Sequence, residues 1–282
     1  MIDTFDNTIL QRSGKKSLLV DSIVGNIKKN QPLIIFCHGY KGFKDWGAWS
    51  LMARTFAMSG MAFVKFNFSH NGGTVEQPID FPDLEAFGHN TYSKELDDLG
   101  DIIDWCISRF KDDDRVNTNQ LCLMGHSRGG GIVVLKAAED SRIKQVISLA
   151  GVSDYKSRFP SGNAFEQWKT TGVYYIRNGR TLQKMPHYFQ FYEDFMTNEE
   201  RLTISKAARS LNCPYLIIHG TADKAVQPEE AERLHGWCAH SQLLWLEGAN
   251  HVFGMKQPWE SRELPKEMIF LLNHCIAFIN QL

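Results

Sequence analysis

The 282-residue chain has no surplus of either charge and no long apolar run. Lysine and arginine number 31 against 32 aspartate and glutamate, so no surplus of charge points to nucleic acids or to anionic membranes as partners. No apolar stretch approaches the roughly 20 residues needed to span a bilayer. The first six residues contain neither a basic nor an apolar segment, so no signal peptide is predicted. We therefore expect no nucleic-acid partner and no membrane partner.

The sequence also lacks the patterns of metal and nucleotide sites. Its six cysteines show no C-x-x-C spacing, and there is no H-x-H, H-x-x-x-H or Cys/His cluster, so no metal site is predicted. No G-x-G-x-x-G opens a helix and no Walker lysine motif occurs, which disfavours nucleotide chemistry. No cofactor is implied. Scattered free thiols fit a reducing compartment, so we expect a cytoplasmic location.

Apolar runs typical of strands alternate with stripes of helical spacing along the chain. Strands are predicted at residues 17–24, 33–37, 61–68, 120–124, 145–150, 215–219 and 243–246. Helices are predicted at residues 48–59, 92–110, 130–138 and 266–282. This alternation is typical of βαβ units. The sequence therefore predicts an α/β fold, with a mostly parallel central sheet of about eight strands flanked by helices.

Residues 154–208 interrupt this alternation. Eleven aromatic residues lie between Tyr155 and Phe195, about twice the 12% aromatic content of the whole chain. An insertion between sheet strands often forms a lid, and active sites of open α/β sheets lie where this one would emerge. We predict a small helical cap on a core formed by residues 1–153 and 209–282; an ordinary packed helical excursion is the alternative. The candidate substrate-binding residues in the cap are Trp168, Tyr174, Tyr188 and Phe191.

The segment Gly125-His126-Ser127-Arg128-Gly129 lies between a predicted strand and a predicted helix. A serine framed by glycines in this context is typical of a nucleophile elbow, a tight turn that exposes the hydroxyl. Three consecutive glycines at residues 129–131 open the helix, although each costs about 1 kcal/mol relative to alanine in a helix interior. This pattern predicts a close approach of the helix to the sheet. The alternative is a glycine-rich turn that happens to contain a serine.

A serine nucleophile needs a base and a group that orients the base. Asp223 and His251 each follow a predicted strand, and the order Ser, Asp, His is that of elbow-type hydrolases. In this interpretation Ser127 attacks the acyl carbon, His251 moves the proton and Asp223 orients His251. Asp154 also follows a strand and is the alternative acid. His38, His126 and His219 are interpreted as structural histidines.

These motifs resemble those of the α/β-hydrolase superfamily over nearly the whole chain. The resemblance rests on Cys37-His38-Gly39-Tyr40, the elbow, Gly220-Thr221-Ala222-Asp223 and Asn250-His251. Within the superfamily the chain is most similar to serine esterases of the feruloyl-esterase and dienelactone-hydrolase-like type. The cysteine nucleophile of dienelactone hydrolase itself is absent, and the segment after residues 61–68 lacks the arginine that relatives often carry there. The resemblance implies an oxyanion hole formed by the backbone N–H groups of Tyr40 and Arg128.

The expected function is hydrolysis of a carboxylic ester through an acyl-enzyme intermediate. The aromatic-rich cap predicts a small-molecule ester with apolar or aromatic bulk in its acyl or alcohol part. Lys41, Lys44 and Arg128 could meet a carboxylate on the substrate, although solvated surface charge is the favoured interpretation for the two lysines. An acyltransferase, thioesterase or peptidase would use the same three side chains. A non-catalytic binding protein with this fold is the third class.

Overall fold

The computed structural model describes residues 1–281. Its strands, in chain order, are β1 (Ile2–Arg12), β2 (Lys15–Gly25), β3 (Gln31–Cys37), β4 (Ala62–Asn67), β5 (Val116–His126), β6 (Ile143–Leu149), β7 (Val173–Arg177), β8 (Lys184–Tyr188), β9 (Tyr215–Gly220) and β10 (Ser241–Leu246). Its α-helices are α1 (Trp49–Met58), α2 (Leu84–Gly88), α3 (Tyr92–Phe110), α4 (Arg128–Glu139), α5 (Gly162–Thr171), α6 (Gln190–Thr197), α7 (Glu199–Leu202), α8 (Ile204–Ser210), α9 (Pro228–Trp237) and α10 (Lys266–Ile279). No helix in this part of the chain is both long enough and apolar enough to cross a membrane.

Within residues 1–281, eight strands form one sheet in the order β1-β2-β4-β3-β5-β6-β9-β10. The six strands from β4 to β10 in this order are parallel, whereas β2 pairs antiparallel with both β4 and β1. The predicted α/β fold with a mostly parallel sheet of about eight strands is confirmed. All seven residues of β3 are buried, as expected for a parallel strand that is covered on both faces.

Two apolar cores lie on opposite faces of the sheet, because successive strand side chains point to opposite sides. Leu33 and Ile35 belong to the core that includes residues of α3, α4, α8 and α9. Ile34 and Phe36 belong to the core that includes residues of α1 and α10. The molecule is therefore a three-layer α/β structure. The carboxyl ends of the parallel strands share one edge of the sheet, and the loops that follow them meet there.

Residues 154–208 leave the sheet after β6, and the chain returns to it at β9. We call these residues the inserted segment. It contains α5, α6, α7 and most of α8, together with an antiparallel pair, β7 and β8, that the sequence did not predict. Trp168, Phe191 and Phe195 of this segment are at least 95% buried and belong to the core that α3 and α4 share. The segment is thus packed on the core of the sheet.

Candidate active site

Ser127 occupies a strained turn between β5 and α4. Its φ is +55° and its ψ is −117°, a conformation that costs a non-glycine residue about 1–3 kcal/mol. Three backbone hydrogen bonds hold it: the Ser127 N–H donates to the Leu149 carbonyl at 2.9 Å, and the Ser127 carbonyl accepts from the N–H groups of Gly130 at 3.0 Å and Val152 at 3.2 Å. The strained backbone is therefore fixed by β6 on one side and by α4 on the other.

The glycines around Ser127 are explained by close backbone approach. A Cβ on Gly125 would overlap the backbone of Gly129, and a Cβ on Gly129 would lie 2.6 Å from the His38 carbonyl oxygen. At Gly131 a Cβ would lie 2.5 Å from the Tyr155 hydroxyl. Side chains at these positions would push α4 away from the sheet and from the neighbouring helices, which is the steric reason for three successive glycines.

The structure brings Ser127, His251 and Asp223 into one hydrogen-bonded series. His251 Nε2 lies 3.0 Å from Ser127 Oγ, and His251 Nδ1 lies 2.8 Å from Asp223 Oδ2. The other carboxylate oxygen of Asp223 accepts backbone N–H groups from Ala225 at 2.8 Å and Val226 at 3.0 Å. These bonds orient the carboxylate, because both of its oxygens are engaged.

A second imidazole, that of His219, lies against Asp223. His219 is fully buried; its Nε2 is 2.9 Å from the Val226 carbonyl and 3.4 Å from Asp223 Oδ2. Burial, the largest influence on the pKa of Asp223, raises it, but hydrogen bonding to His219 and His251 outweighs burial and holds the pKa well below its usual range. Asp223 is therefore ionised at neutral pH. The sequence signal for His219 is its position four residues before Asp223, at the end of β9.

Asp154, the alternative acid, has a different role in the structure. Its exposed carboxylate accepts the backbone N–H groups of Lys156 at 2.9 Å and Ser157 at 3.2 Å. It thereby caps the short 3₁₀ turn at residues 156–158. The structure places Asp223, not Asp154, against His251.

The backbone N–H groups of Tyr40 and Arg128 are both unpaired within residues 1–281. His38 holds the loop that carries Tyr40, because its Nε2 accepts the Phe68 N–H at 3.3 Å and its Nδ1 lies 2.9 Å from the Gly39 carbonyl. Burial lowers the pKa of His38 to about 4, so the imidazole is neutral and one nitrogen is free to accept. Two free N–H donors near Ser127 are what an oxyanion hole requires.

His126 connects the elbow to the loop of His251. Its Nε2 lies 2.9 Å from the His251 carbonyl oxygen, and the two imidazole centroids are 4.8 Å apart. Burial, followed by the charge of His251, lowers the pKa of His126 to about 3. Neutral His126 therefore donates from Nε2 to the backbone of His251 and positions that loop.

A cavity of about 540 Å³ opens over Ser127 and His251. Of the four residues predicted to bind substrate, Trp168, Tyr174 and Phe191 line this cavity. Further rings in its wall belong to Tyr40, Tyr92, Tyr155 and Phe159. Seven of the eighteen residues in the cavity wall are therefore Phe, Tyr or Trp, and they come from both the inserted segment and the core.

Tyr188 does not line the cavity, and its prediction as a substrate-binding residue is corrected. Its hydroxyl donates to Glu85 at 2.5 Å, and its ring lies 4.6 Å from that of His89. Neighbouring side chains of a strand point to opposite faces, so it is His187, the preceding residue of β8, that lines the cavity. Sequence reasoning missed His187 because nothing in the sequence shows which face of β8 is inside.

In the part of the chain that the structure describes, no three His, Cys, Asp or Glu side chains are grouped to hold a metal ion. The hydrogen-bonded series of Ser127, His251 and Asp223 has the geometry to move a proton between Ser127 and His251, and two unpaired backbone N–H groups lie beside it.

Comparisons with known proteins match most of the chain to one family and one fold. Residues 49–276 match the model described as the prolyl oligopeptidase family. The structure is similar to that of Est1E from Butyrivibrio proteoclasticus with bound ferulic acid, with a TM-score of 0.72, 18% identity, and coverage of 97% of this chain and 98% of that chain. This similarity shows the α/β-hydrolase fold.

Two curated relatives match part of the chain. It is 29% identical over 130 residues to an uncharacterized 31.7 kDa protein in the traX-finO intergenic region from Escherichia coli, covering 46% of this chain and 40% of that protein. It is 27% identical over 142 residues to the quorum-quenching protein AidA from Acinetobacter baumannii strain MDR-ZJ06, covering 50% of this chain and 42% of that protein. The chain spans about two fifths of the length of these relatives.

Proposed function

The chain belongs to the prolyl oligopeptidase family of serine hydrolases, and we propose that it cleaves carboxylic esters through an acyl-enzyme intermediate. The observation that carries the proposal is the series from Ser127 Oγ to His251 Nε2, at 3.0 Å, and from His251 Nδ1 to Asp223, at 2.8 Å. It lies beside the free N–H groups of Tyr40 and Arg128. These are the parts that acyl transfer to a serine needs.

In the first half of the reaction, Ser127 Oγ attacks the ester carbon while His251 Nε2 takes the hydroxyl proton. The carbonyl oxygen becomes an oxyanion that accepts hydrogen bonds from the N–H groups of Tyr40 and Arg128. The bond to the alcohol oxygen then breaks, and His251 returns the proton to that oxygen. The alcohol leaves, and the acyl group stays bound to Ser127. Asp223 stabilises the imidazolium that exists between the two proton transfers.

In the second half, water takes the place of the alcohol. His251 accepts a proton from the water as its oxygen attacks the acyl carbon, and the same two N–H groups bind the new oxyanion. The bond between the acyl carbon and Ser127 Oγ breaks, and the proton on His251 passes to that oxygen. The acid is released, and the enzyme returns to its starting state.

We propose that the inserted segment is a cap that selects esters with aromatic or apolar bulk. Trp168, Tyr174 and Phe191 of this segment face the cavity over Ser127. Cavities of this composition bind apolar ligand surface and use a few polar groups for orientation. The ferulic acid bound to the structurally similar Est1E is an aromatic acid, which supports an aromatic acyl group.

Peptide cleavage is the second candidate function, because the family that the chain matches takes its name from prolyl oligopeptidase, a peptidase. A peptidase would use the same proton transfers with an amine as the leaving group. A panel that includes p-nitrophenyl esters, a thioester and aminoacyl p-nitroanilides separates the two. We expect ester cleavage to dominate, with p-nitrophenyl cinnamate ahead of an aliphatic ester of similar size. Faster turnover of an anilide would establish the peptidase instead.

Covalent labelling with a fluorophosphonate probe tests the nucleophile directly. We expect labelling of the wild-type protein and of Ser157→Ala, which removes an exposed hydroxyl of the inserted segment. We expect none in Ser127→Ala. Labelling that persists in Ser127→Ala would place the nucleophile elsewhere, and an unlabelled wild-type protein without esterase activity would favour a binding protein.

A further inference from the structure

The guanidinium of Arg128 lines the cavity over Ser127, yet most of its hydrogen-bonding capacity is unused. The side chain is only 13% exposed. Its Nη1 lies 3.1 Å from Oε1 of Glu95, and this is the one acceptor that the side chain has among residues 1–281. A guanidinium carries five N–H groups, so several of them are available to a ligand in this cavity.

Aromatic rings hold this guanidinium in place. Its central carbon lies 4.4 Å from the ring centroid of Tyr40, 5.1 Å from that of Tyr92 and 5.6 Å from that of Phe191. Such contacts stabilise the cation through the faces of the rings and leave its N–H edges available. Arg128 is therefore a preorganised cation on the cavity wall.

Glu95 does not use up this charge. Its Oε1 accepts from Arg128 and also from Asn90 Nδ2 at 2.6 Å, while its Oε2 has no hydrogen-bond partner in the described chain. Burial raises the pKa of Glu95, although the charge of Arg128 and the hydrogen bond from Asn90 act against burial. Glu95 does not line the cavity, so it contacts the guanidinium from the side away from the cavity.

Lys41 adds a second positive charge to the same wall. Its Nζ lies 5.1 Å from the ring centroid of Tyr40, and no carboxylate of residues 1–281 is within ion-pair distance of it. Burial, and after it the charge of Arg128, lowers the pKa of Lys41. Burial and the charges of both cations also lower the pKa of His187, to about 3. The third cation of the wall, Arg158, is already paired with Glu230.

No Asp or Glu of the described residues lines this cavity. We propose that Arg128, assisted by Lys41, binds a carboxylate of the substrate, so that the preferred esters carry a free carboxylate in addition to the bond that is cleaved. A planar carboxylate matches the fork of N–H groups on a guanidinium, and such charge-assisted bonds are about twice as strong as neutral ones. For ester cleavage this inference rests on the proposed function; for carboxylate binding it does not.

The carboxylate can belong to the acyl part or to the alcohol part, and two matched pairs of esters distinguish these sources. Mono-p-nitrophenyl glutarate against p-nitrophenyl pentanoate tests the acyl part. 4-Acetoxybenzoate against its methyl ester tests the alcohol part. We expect the charged member of at least one pair to have a kcat/KM about 10- to 100-fold above its neutral partner. Raising the NaCl concentration should reduce this preference.

Variants that remove a charge show which residues cause the preference for charged esters. Arg128→Gln leaves Glu95 unpaired, so the double variant Arg128→Gln/Glu95→Gln is the better-folded test. We expect the charged-to-neutral ratio of kcat/KM to fall about 10- to 100-fold in the double variant and less in Lys41→Gln. The matched control is Lys144→Gln, which removes one positive charge from an exposed site. Lys144 lies near the amino-terminal end of β6, whereas Ser127 lies at the carboxyl ends of the strands. It should keep the wild-type ratio.

A binding measurement separates this inference from the proposed function. Calorimetric titration of Ser127→Ala with glutarate is expected to show binding that is lost in the variant that also carries Arg128→Gln and Glu95→Gln. The carboxylate subsite alone would be overturned by three results together. The wild-type protein would cleave neutral esters, it would not prefer the charged member of either ester pair, and the Ser127→Ala variant would not bind glutarate. No turnover of any ester, with glutarate binding that depends on Arg128, would overturn the esterase and keep the subsite.

Discussion

The hydroxyl of Tyr40 lies 2.7 Å from Nε2 of His187, a hydrogen bond between residues 147 positions apart. It joins the loop after β3, which carries one of the two free N–H groups near Ser127, to β8 of the inserted segment. The carbonyl of His187 also accepts a hydrogen bond, at 2.7 Å, from the indole N–H of Trp168. His187 therefore connects the loop after β3 to the cavity wall, since its imidazole contacts Tyr40 and its backbone carbonyl binds Trp168.

Replacing His187 should change how stability depends on pH. Burial, then the charges of Arg128 and Lys41, lowers its pKa from 6.5 to about 3. Between these two values the unfolded chain binds a proton that the folded protein does not, so the free energy of unfolding falls as the pH falls from 6.5. His187→Gln should remove this contribution and flatten the pH dependence by about 1.4 kcal/mol per pH unit between pH 4 and 5.5.

Urea unfolding at several pH values measures this effect. Tyr40→Phe is the matched control, because it removes the same hydrogen bond and keeps the imidazole. It should lower stability by about 1 kcal/mol at every pH without flattening the curve. Equal pH dependence in His187→Gln and wild type would show that this imidazole does not titrate differently on folding.

Asp223→Asn should lower kcat for ester cleavage by about 10³- to 10⁴-fold. The asparagine amide would donate to His251 Nδ1 where the carboxylate now accepts, which favours the tautomer with its proton on Nε2. That tautomer cannot take the proton of Ser127. Steady-state kinetics on a p-nitrophenyl ester measure the loss, and Asp154→Asn, the same change at the exposed alternative acid, should leave kcat close to wild type. A large loss in Asp154→Asn with little in Asp223→Asn would reverse the assignment.

Alanine at two helical glycines should change stability in opposite directions. In Gly131→Ala the new methyl group would lie 2.5 Å from the Tyr155 hydroxyl and 2.7 Å from Ile204 Cδ1, so α4 or these two buried side chains must shift, at a cost of about 1–3 kcal/mol. In Gly236→Ala the methyl group meets nothing within 4 Å, and stability should rise by up to about 1 kcal/mol. Thermal unfolding of both variants provides the comparison, and stabilisation by Gly131→Ala would contradict the packing argument.

Four charged side chains join the loop after β3 to the sheet, and three of them, Asp21, Lys44 and Lys65, are buried. Asp21 of β2 lies 2.7 Å from Lys44 Nζ and 2.5 Å from Lys65 Nζ, and Asp45 pairs with both lysines. Both lysine side chains are 2% exposed. Two carboxylates and two ammonium groups thus balance one another, with only Asp45 partly exposed, and removing one lysine leaves an unbalanced charge in a mostly buried cluster.

Lys65→Met should therefore lower the free energy of unfolding by about 3–5 kcal/mol. Lys206→Met is its control, since Lys206 pairs with Glu200 on the surface, where an ion pair contributes about 0–1 kcal/mol. Urea unfolding of both variants measures the difference. A loss in Lys65→Met no larger than that in the surface variant would show that water reaches the buried charges.

The core of the sheet could be predicted because its strands are apolar on both faces, as in β3 and β9. β1 was missed for the opposite reason: it lies at the edge of the sheet, and none of its residues is fully buried, so it has no apolar run. α9 was missed as well, because its buried residues are only Glu230, Ala231 and Leu234. A helix or strand is therefore predictable from the sequence when it buries many apolar side chains, and it is missed when it buries few.

At the site, the positions of Ser127, Asp223 and His251 follow from chain order and from the edge at which parallel strands end. The contacts of His187 and Glu95 could not be predicted, because each depends on a partner from a distant part of the chain. Glu95 did leave a signal: a charged residue beside Leu96, on the buried stripe of α3, needs a partner. No comparable pattern distinguishes the inner and outer faces of β8.

The inserted segment leaves at the end of β6 and the chain re-enters the sheet at β9, two strands that are direct hydrogen-bonded neighbours. The length of the segment therefore does not affect the register in which the sheet strands pair. A different segment grafted between the same two attachment points must refill the core positions of Trp168, Phe191 and Phe195. A graft that keeps these three residues and changes those that face Ser127 would give the cavity a new wall on an unchanged sheet.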